Sequence, residues 1–161
     1  MILSPDSCIL SPVINPILLD DRWESLLPDW ESAIQEALTK AAKVLEKNFS
    51  NQEVSVVLTN DAEVQKLNKT YRHQDKPTNV LSFVSDADGE LGDIILAYET
   101  VVKEAEDAGL LPLHHVTHLI IHGFLHLLGY DHHHEEEAQR METMEIRILR
   151  DLNIANPYEE K

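Results

Sequence analysis

Leu119-Ile120-Ile121-His122-Gly123-Phe124-Leu125-His126-Leu127-Leu128-Gly129-Tyr130-Asp131-His132 is the stretch that decides the architecture. From Leu119 to Leu128 it is apolar on every side, and a helix of that kind is buried rather than laid on a surface. His122 and His126, four residues apart, fall on one face of that helix. Gly129 ends it, because glycine turns the chain through positive φ at a C′ position. The turn brings His132 back toward the same face. Three imidazoles converging on a point form a three-coordinate zinc site whose fourth position stays open, the arrangement of a catalytic rather than a structural zinc. The stretch reads as the centre of a metal-dependent hydrolase.

Two blander readings compete. His122 and His126 would form a mutually satisfied polar cluster in the core, or His132, with His133 and His134 behind it, would belong to a surface histidine run. The second does not account for two histidines inside a hydrophobic stretch. Two buried imidazoles without partners would cost about a few kcal/mol together, and a metal supplies both partners at once. The pattern departs from the zinc-protease motif H-E-x-x-H, whose Glu is the general base. Gly123 stands in that place, which disfavours peptide hydrolysis by the usual route. A glycine inside a helix costs about 1 kcal/mol relative to alanine. Either a side chain there would block the approach to the metal, or the helix packs closely on a neighbour; both readings stay open.

Outward from this segment, periodicity places the other elements. Val13 to Leu19 reads as a strand, at an edge because of Pro16. Trp30 to Leu45 has helical spacing at Ile34, Leu38, Ala41, Ala42 and Leu45. Val54 to Leu58 is a strand rich in β-branched residues. Asn60 and Glu63 resemble a capping box opening a helix to about Tyr71. Thr78 to Val84 and Gly92 to Ala97 read as strands around the acidic turn Asp86-Ala87-Asp88-Gly89. Thr100 to Ala108 is a short helix ended by Gly109, and Pro112 suits the first turn of the histidine helix. Glu135 to Asp151 forms a last helix, with Ala138, Met141, Met144, Ile148 and Leu152 apolar and three glutamates at the positive end of its dipole. Together these predict an α+β fold, a small mostly antiparallel or mixed sheet with helices packed over it. The metal site would lie on the buried C-terminal helix and the turn after it.

Length and composition bound the rest. The chain has 161 residues, is 43% hydrophobic, and reads as a single domain over 1–161 with flexible ends at 1–11 and 155–161. Its apolar runs fall far short of the ~20 residues that span a bilayer. Its N-terminus lacks the basic start of a signal peptide, and its single cysteine, Cys8, excludes an internal disulfide framework. The reading is a cytoplasmic protein without membrane attachment. The net charge of −16 runs against nucleic-acid binding. Yet Lys66, Lys69, Arg72 and Lys76 stand against Asp75 alone, a basic island in an acidic chain, whereas 84–107 is strongly acidic. A solvated helix end is the ordinary reading of such an island.

Three ordered motifs resemble one family. His118-x-x-x-His122-Gly-x-Leu-His126-Leu-x-Gly129-Tyr130-Asp131-His132 is similar to the signature of the YbeY family, bacterial and organellar endoribonucleases of rRNA maturation. Leu67-Asn68-x-x-Tyr71-Arg72-x-x-Asp75-Lys76-Pro77-Thr78-Asn79-Val80-Leu81-Ser82-Phe83 and Leu91-Gly92-Asp93-Ile94 resemble the same family, as do Glu135-Glu136-Glu137 and the Met- and Glu-rich helix they open. The resemblance covers about residues 50 to 150, and residues 1 to 15 match nothing in it. It implies an α+β fold and a metal-dependent, single-strand-type endoribonuclease. The implied substrate is the 3′ end of small-subunit ribosomal RNA, with a role in ribosome quality control. A small-subunit ribosomal protein and the assembly GTPase Era are the partners it implies, which would suit a weak RNA binder.

Site residues follow. His122, His126 and His132 would hold one Zn²⁺, although nickel or another ion that favours imidazole is not excluded by ligand type. Zinc on three neutral imidazoles brings a bound water to a pKa of about 7. Whether water or the RNA 2′-hydroxyl attacks is open. Arg72 is the candidate phosphate clamp, since a guanidinium is always charged and matches phosphate oxygens bidentately; the resemblance points to the same arginine. The competing reading is a structural salt bridge to Asp75 or Asp93. Lys66, Lys69 and Lys76 join Arg72 as candidate RNA contacts. Asp131 either orients a ligand imidazole or caps the next helix. His118, one turn before His122, reads as supporting a ligand or facing substrate. Ser82 reads as an ordinary strand residue, and His73, His114 and His115 as exposed. Two other functions compete with the nuclease: a ribosome-assembly binding factor with a structural zinc, and a zinc hydrolase of small phosphoesters or peptides.

Overall fold

The computed structural model describes residues 10–131 and 133–158. Four strands, β1 (Val13–Leu18), β2 (Glu53–Thr59), β3 (Val80–Val84) and β4 (Glu90–Ala97), form one sheet in the order β1-β2-β4-β3. Among the described residues the named helices are α1 (Arg22–Leu26), α2 (Trp30–Leu45), α3 (Asp61–Arg72), α4 (Tyr98–Ala108), α5 (Pro112–Leu127) and α6 (Glu135–Asp151). This is the α+β fold the sequence predicts, and of the two kinds of sheet left open the mixed one is realised. β1 and β4 both run parallel to β2, and only β3 is antiparallel, to β4. Parallel neighbours need a crossover; α1 and α2 carry the chain from β1 to β2, and α3 follows β2. Pro16, which has no N–H to give, sits in the edge strand β1 opposite Val56.

The period-2 alternation of the strands divides the core in two. Val54, Val56, Leu58, Ile94 and Leu96 pack into the larger cluster with α2, α5 and α6. Val57, Leu81, Phe83, Ile95 and Ala97 face the other way and meet Val64 and Leu67 of α3. Helix α5 is the centre of the larger cluster, lying between β3 and β4 on one side and α2, α4 and α6 on the others. Its Leu119, Ile120, Ile121, Phe124, Leu125 and Leu127 are all buried, each worth about 1.5–3 kcal/mol relative to exposure. The apolar segment that opens the sequence reading is thus the packing axis of the fold.

Local signals act where the sequence puts them. Asn60 Oδ1 accepts from the Glu63 N–H at 3.0 Å and opens α3. Pro112 occupies the first turn of α5, and Gly129 turns the chain out of it with φ 99°. Helix α4 begins at Tyr98, two residues ahead of expectation. The short α1 was not anticipated. It is held by the buried Trp23, whose Nε1 donates to the Thr59 carbonyl at 2.7 Å.

Gly123 is explained by close packing. A Cβ there would lie 2.8 Å from Ile94 Cγ2 and 3.0 Å from Ser82 Oγ, and the same hydroxyl donates to the Gly123 carbonyl at 3.1 Å. Ser82 is therefore a strand residue, as expected, and the one on which α5 is seated. Gly123→Ala gains helix propensity of about 1 kcal/mol but overpacks a filled interface, which costs about 1–3 kcal/mol. The expected net outcome is a loss of up to about 2 kcal/mol in denaturant unfolding; a raised midpoint would show that α5 can back away from the sheet.

Of the ends expected to be flexible, residues 1–9 and 159–161 lie outside the described residues. Leu10 and Ser11 are tied down, the Leu10 carbonyl by the Phe49 N–H at 2.8 Å and the Ser11 hydroxyl by Thr39 at 3.2 Å. Among the described residues no helix is long and apolar enough to cross a membrane.

Candidate metal centre

Helix α5 carries His118, His122 and His126 at intervals of one turn, in a single stripe. His122 and His126 meet directly: their Nε2 atoms are 3.1 Å apart and their ring planes nearly perpendicular, at 82°. The opposite nitrogen of each ring is anchored. His126 Nδ1 lies 3.0 Å from the Tyr130 carbonyl, an acceptor only, so that nitrogen carries the proton. His122 Nδ1 lies 2.8 Å from Glu145 Oε1, again an acceptor when ionised. Both rings in their neutral form therefore turn a lone pair toward the same point. A cation shared by the two nitrogens, whether a proton carried by one ring or a metal ion, fits that geometry. Tetrahedral zinc with bonds of about 2.0–2.1 Å would space two nitrogens about 3.3 Å apart, close to what is seen. Anchoring of a ligand imidazole through its far nitrogen by a carboxylate or carbonyl is the usual support of such a centre.

Glu145 of α6 is fully buried and is the acceptor hub behind the stripe. Its Oε1 also accepts from His118 Nε2 at 3.0 Å, and its Oε2 from the Tyr158 hydroxyl at 2.8 Å. Burial pushes its pKa up, but the hydrogen bonds it accepts from His118 and His122 outweigh that and hold it down at about 2. Burial and the Glu145 anion together push the Tyr158 hydroxyl well above the usual range. His118, His122 and Glu145 bring their ligand atoms within 4.8 Å of one another and could hold a metal ion. His122 belongs to both arrangements, through Nδ1 to this cluster and through Nε2 to His126.

The stripe opens into a cleft of about 660 Å³ whose lining includes His122, His126, Arg72, Asn79, Ser82 and Asp131. Arg72, at the end of α3, lines the same cleft as the histidines and donates to the Ser82 carbonyl at 2.6 Å. Its expected alternative, a salt bridge to Asp75 or Asp93, is not formed: Asp75 pairs with Lys69 at 3.8 Å, and among the described residues no carboxylate lies within ion-pair distance of Arg72. Asp131 accepts the His133 N–H at 2.9 Å and so shapes the turn; the N-cap position of α6 is held by His134, whose side chain makes no capping bond. Lys66 pairs with Glu63 at 3.5 Å, and Lys66, Lys69 and Lys76 are exposed but not among the described residues lining the cleft. His132 lies outside the described residues.

Two expectations are corrected. His114 and His115 are not exposed but partly buried, because the first turn of α5 packs beside α4. There His115 Nε2 meets Glu104 Oε1 at 2.9 Å. His73 is exposed as expected. Sequence reasoning passed over Glu145 and Tyr158. The signal for Glu145 is its register, four residues after Met141 and three before Ile148 on the buried side of α6, where an apolar residue belongs.

A family model described as Endoribonuclease YbeY matches residues 19–153. Among relatives named Endoribonuclease YbeY, that of Rhodospirillum rubrum is 49% identical over 152 residues, covering 84% of this chain and 76% of its own. That of Bradyrhizobium diazoefficiens is 41% identical over 160 residues, covering 93% and 87%. The solution structure of TM1509 from Thermotoga maritima shares the fold, with a TM-score of 0.53 at 24% identity over 92% of this chain and 100% of that one.

Proposed function

The chain belongs to the YbeY endoribonuclease family, and on that premise we propose that it is a metal-dependent endoribonuclease of ribosomal RNA. Its target on this reading is single-stranded RNA at the 3′ end of the small-subunit transcript, and its working place the cytoplasm. The observation that carries the reading is the His122–His126 nitrogen pair, spaced at 3.1 Å and facing a cleft that Arg72 also lines. His122, His126 and His132 would hold the ion, with zinc the first choice for an all-imidazole set. Such an ion supplies Lewis acidity at a phosphoryl oxygen and a nucleophile at neutral pH.

The protein's own residues do the rest. Glu145 and the Tyr130 carbonyl fix the two imidazoles in the tautomer that presents Nε2. Arg72 spends one N–H on the Ser82 carbonyl, and the remaining donors of its planar fork suit a phosphate. The acidic surface elsewhere keeps RNA affinity low, so delivery by a small-subunit ribosomal protein and the GTPase Era fits this design. A cleft open to solvent supports a catalytic rather than a structural metal, and Gly123 pressed on the sheet leaves no room for a protease's glutamate.

Elemental analysis of freshly prepared, chelator-free protein tests the reading, paired with cleavage of structured ribosomal RNA with and without chelator. About one zinc per chain and chelator-sensitive cleavage are expected; protein that carries no metal would overturn it. Arg72→Ala should keep its metal while kcat/KM falls about 100-fold. Arg72→Lys should recover only part of that, because a point charge does not replace the fork. Undiminished cleavage by Arg72→Ala would remove the phosphate clamp from the mechanism.

A further inference from the structure

Tyr71 stands one residue before Arg72 and is 65% exposed. It is nonetheless ordered by its neighbours. Its ring packs edge-on against Phe83 of β3, with centroids 5.5 Å apart and planes at 64°. The same Phe83 ring carries the Arg72 guanidinium, 5.2 Å from its centroid. His73 then ends α3 in the left-handed conformation, φ 57°, two residues after the exposed Tyr71. An aromatic pair thus sits directly beside the cation that lines the cleft, on the basic island of Lys69, Arg72 and Lys76. Proteins that bind single-stranded nucleic acids combine these two parts: cations that track the backbone and aromatic faces on which bases stack.

Resting on the endoribonuclease reading, we infer that Tyr71 is a stacking platform for an unpaired nucleobase, next to the phosphate that Arg72 holds. The ligand is a base of single-stranded RNA lying outside the cleft, whose lining includes Arg72 but neither Tyr71 nor Phe83, and the platform makes binding beyond the cleft selective for single strands. Bases within a duplex are already stacked on both faces and have none to offer. The exposure of the ring is then the purpose of its position: Phe83 supports one edge and leaves the rest for a base.

The test measures binding of a fluorescein-labelled single-stranded oligoadenylate and of a hairpin duplex of similar length. Anisotropy is recorded in the cold, ahead of cleavage. Tyr71→Ala should weaken single-strand binding about 5- to 100-fold while leaving duplex binding unchanged and the protein cooperatively folded at the assay temperature, with a small drop in Tm from the lost Phe83 contact. Tyr71→Phe and Tyr71→Trp, which keep a ring, should stay within about threefold of wild type. An abasic residue walked along the oligomer should weaken wild-type binding at one position, and that dip should vanish in Tyr71→Ala, as for two partners of one contact. Equal single-strand binding by Tyr71→Ala and wild type, or parallel loss on both probes, overturns the platform alone. Wild-type protein that neither binds nor cleaves RNA overturns the endoribonuclease reading and the platform with it.

Discussion

His126→Ala is expected to strip the metal and abolish RNA cleavage while the protein stays folded. His126 contributes half of the 3.1 Å nitrogen pair, and with it gone His122 alone faces the cleft from α5. The several kcal/mol of charge stabilisation that a divalent ion supplies would go with it, a fall in kcat/KM of about three orders of magnitude or more. The ring lies on the one stripe of α5 that is not core, so the metal-free protein should unfold within about 1–2 kcal/mol of metal-free wild type, the scale of the hydrogen bonds the ring makes. Metal content, cleavage and circular dichroism on the same preparation decide it. Cleavage without metal would refute the centre; metal retained without cleavage would move the site to the His118–His122–Glu145 cluster.

Glu145→Ala should be the most destructive single change to the scaffold. Its carboxylate accepts from His118, His122 and Tyr158 at once. Removing it leaves three polar groups facing a hole in the core. Breaking a buried charged network in this way costs about 3–5 kcal/mol, a large share of the 5–15 kcal/mol that hold an ordinary domain together. Glu145→Gln separates scaffold from site. It keeps the volume and one acceptor oxygen but places an amide N–H₂ where donors already converge, so His122 loses its tautomer lock. Metal affinity should drop about 10- to 100-fold with a smaller loss of stability. Chelator competition alongside denaturant unfolding reads both. If Glu145→Gln bound metal as tightly as wild type, Glu145 would be a folding residue with no part in tuning the site.

What the sequence made legible was local chemistry. The apolar run around His122, the break at Gly129 and the cap at Asn60 are each decided within a few residues, and each is found as read. Strand pairing is not local. The chain alternates strand and helix from β1 to α3, a pattern that suits parallel crossovers, yet nothing within a single strand says which neighbour it takes. The five-residue α1 is too short to show a period and exists because Trp23 finds the Thr59 carbonyl. Glu145 was hidden by company: α6 is crowded with acids, and only its register marks this one as buried. The dilemma at Gly123 needed a neighbour from another element, since Ile94 and Ser82 lie on strands far away in sequence.

The two walls of the cleft differ in how they are held. Helix α5 is core on every side but one, so its backbone amides should exchange with solvent only when the domain opens as a whole. Arg72 sits on the last turn of α3, at the head of a stretch, 71–77, that is exposed throughout; amides of such an exposed turn should exchange ahead of those of α5. On the proposed function, the side that would keep the ion is as rigid as the fold, and the side that would meet the strand is the looser one. Nucleotides of different size and pucker can therefore be accommodated from the arginine side without disturbing the spacing of the imidazoles, so tolerance of sequence and retention of metal are mechanically uncoupled.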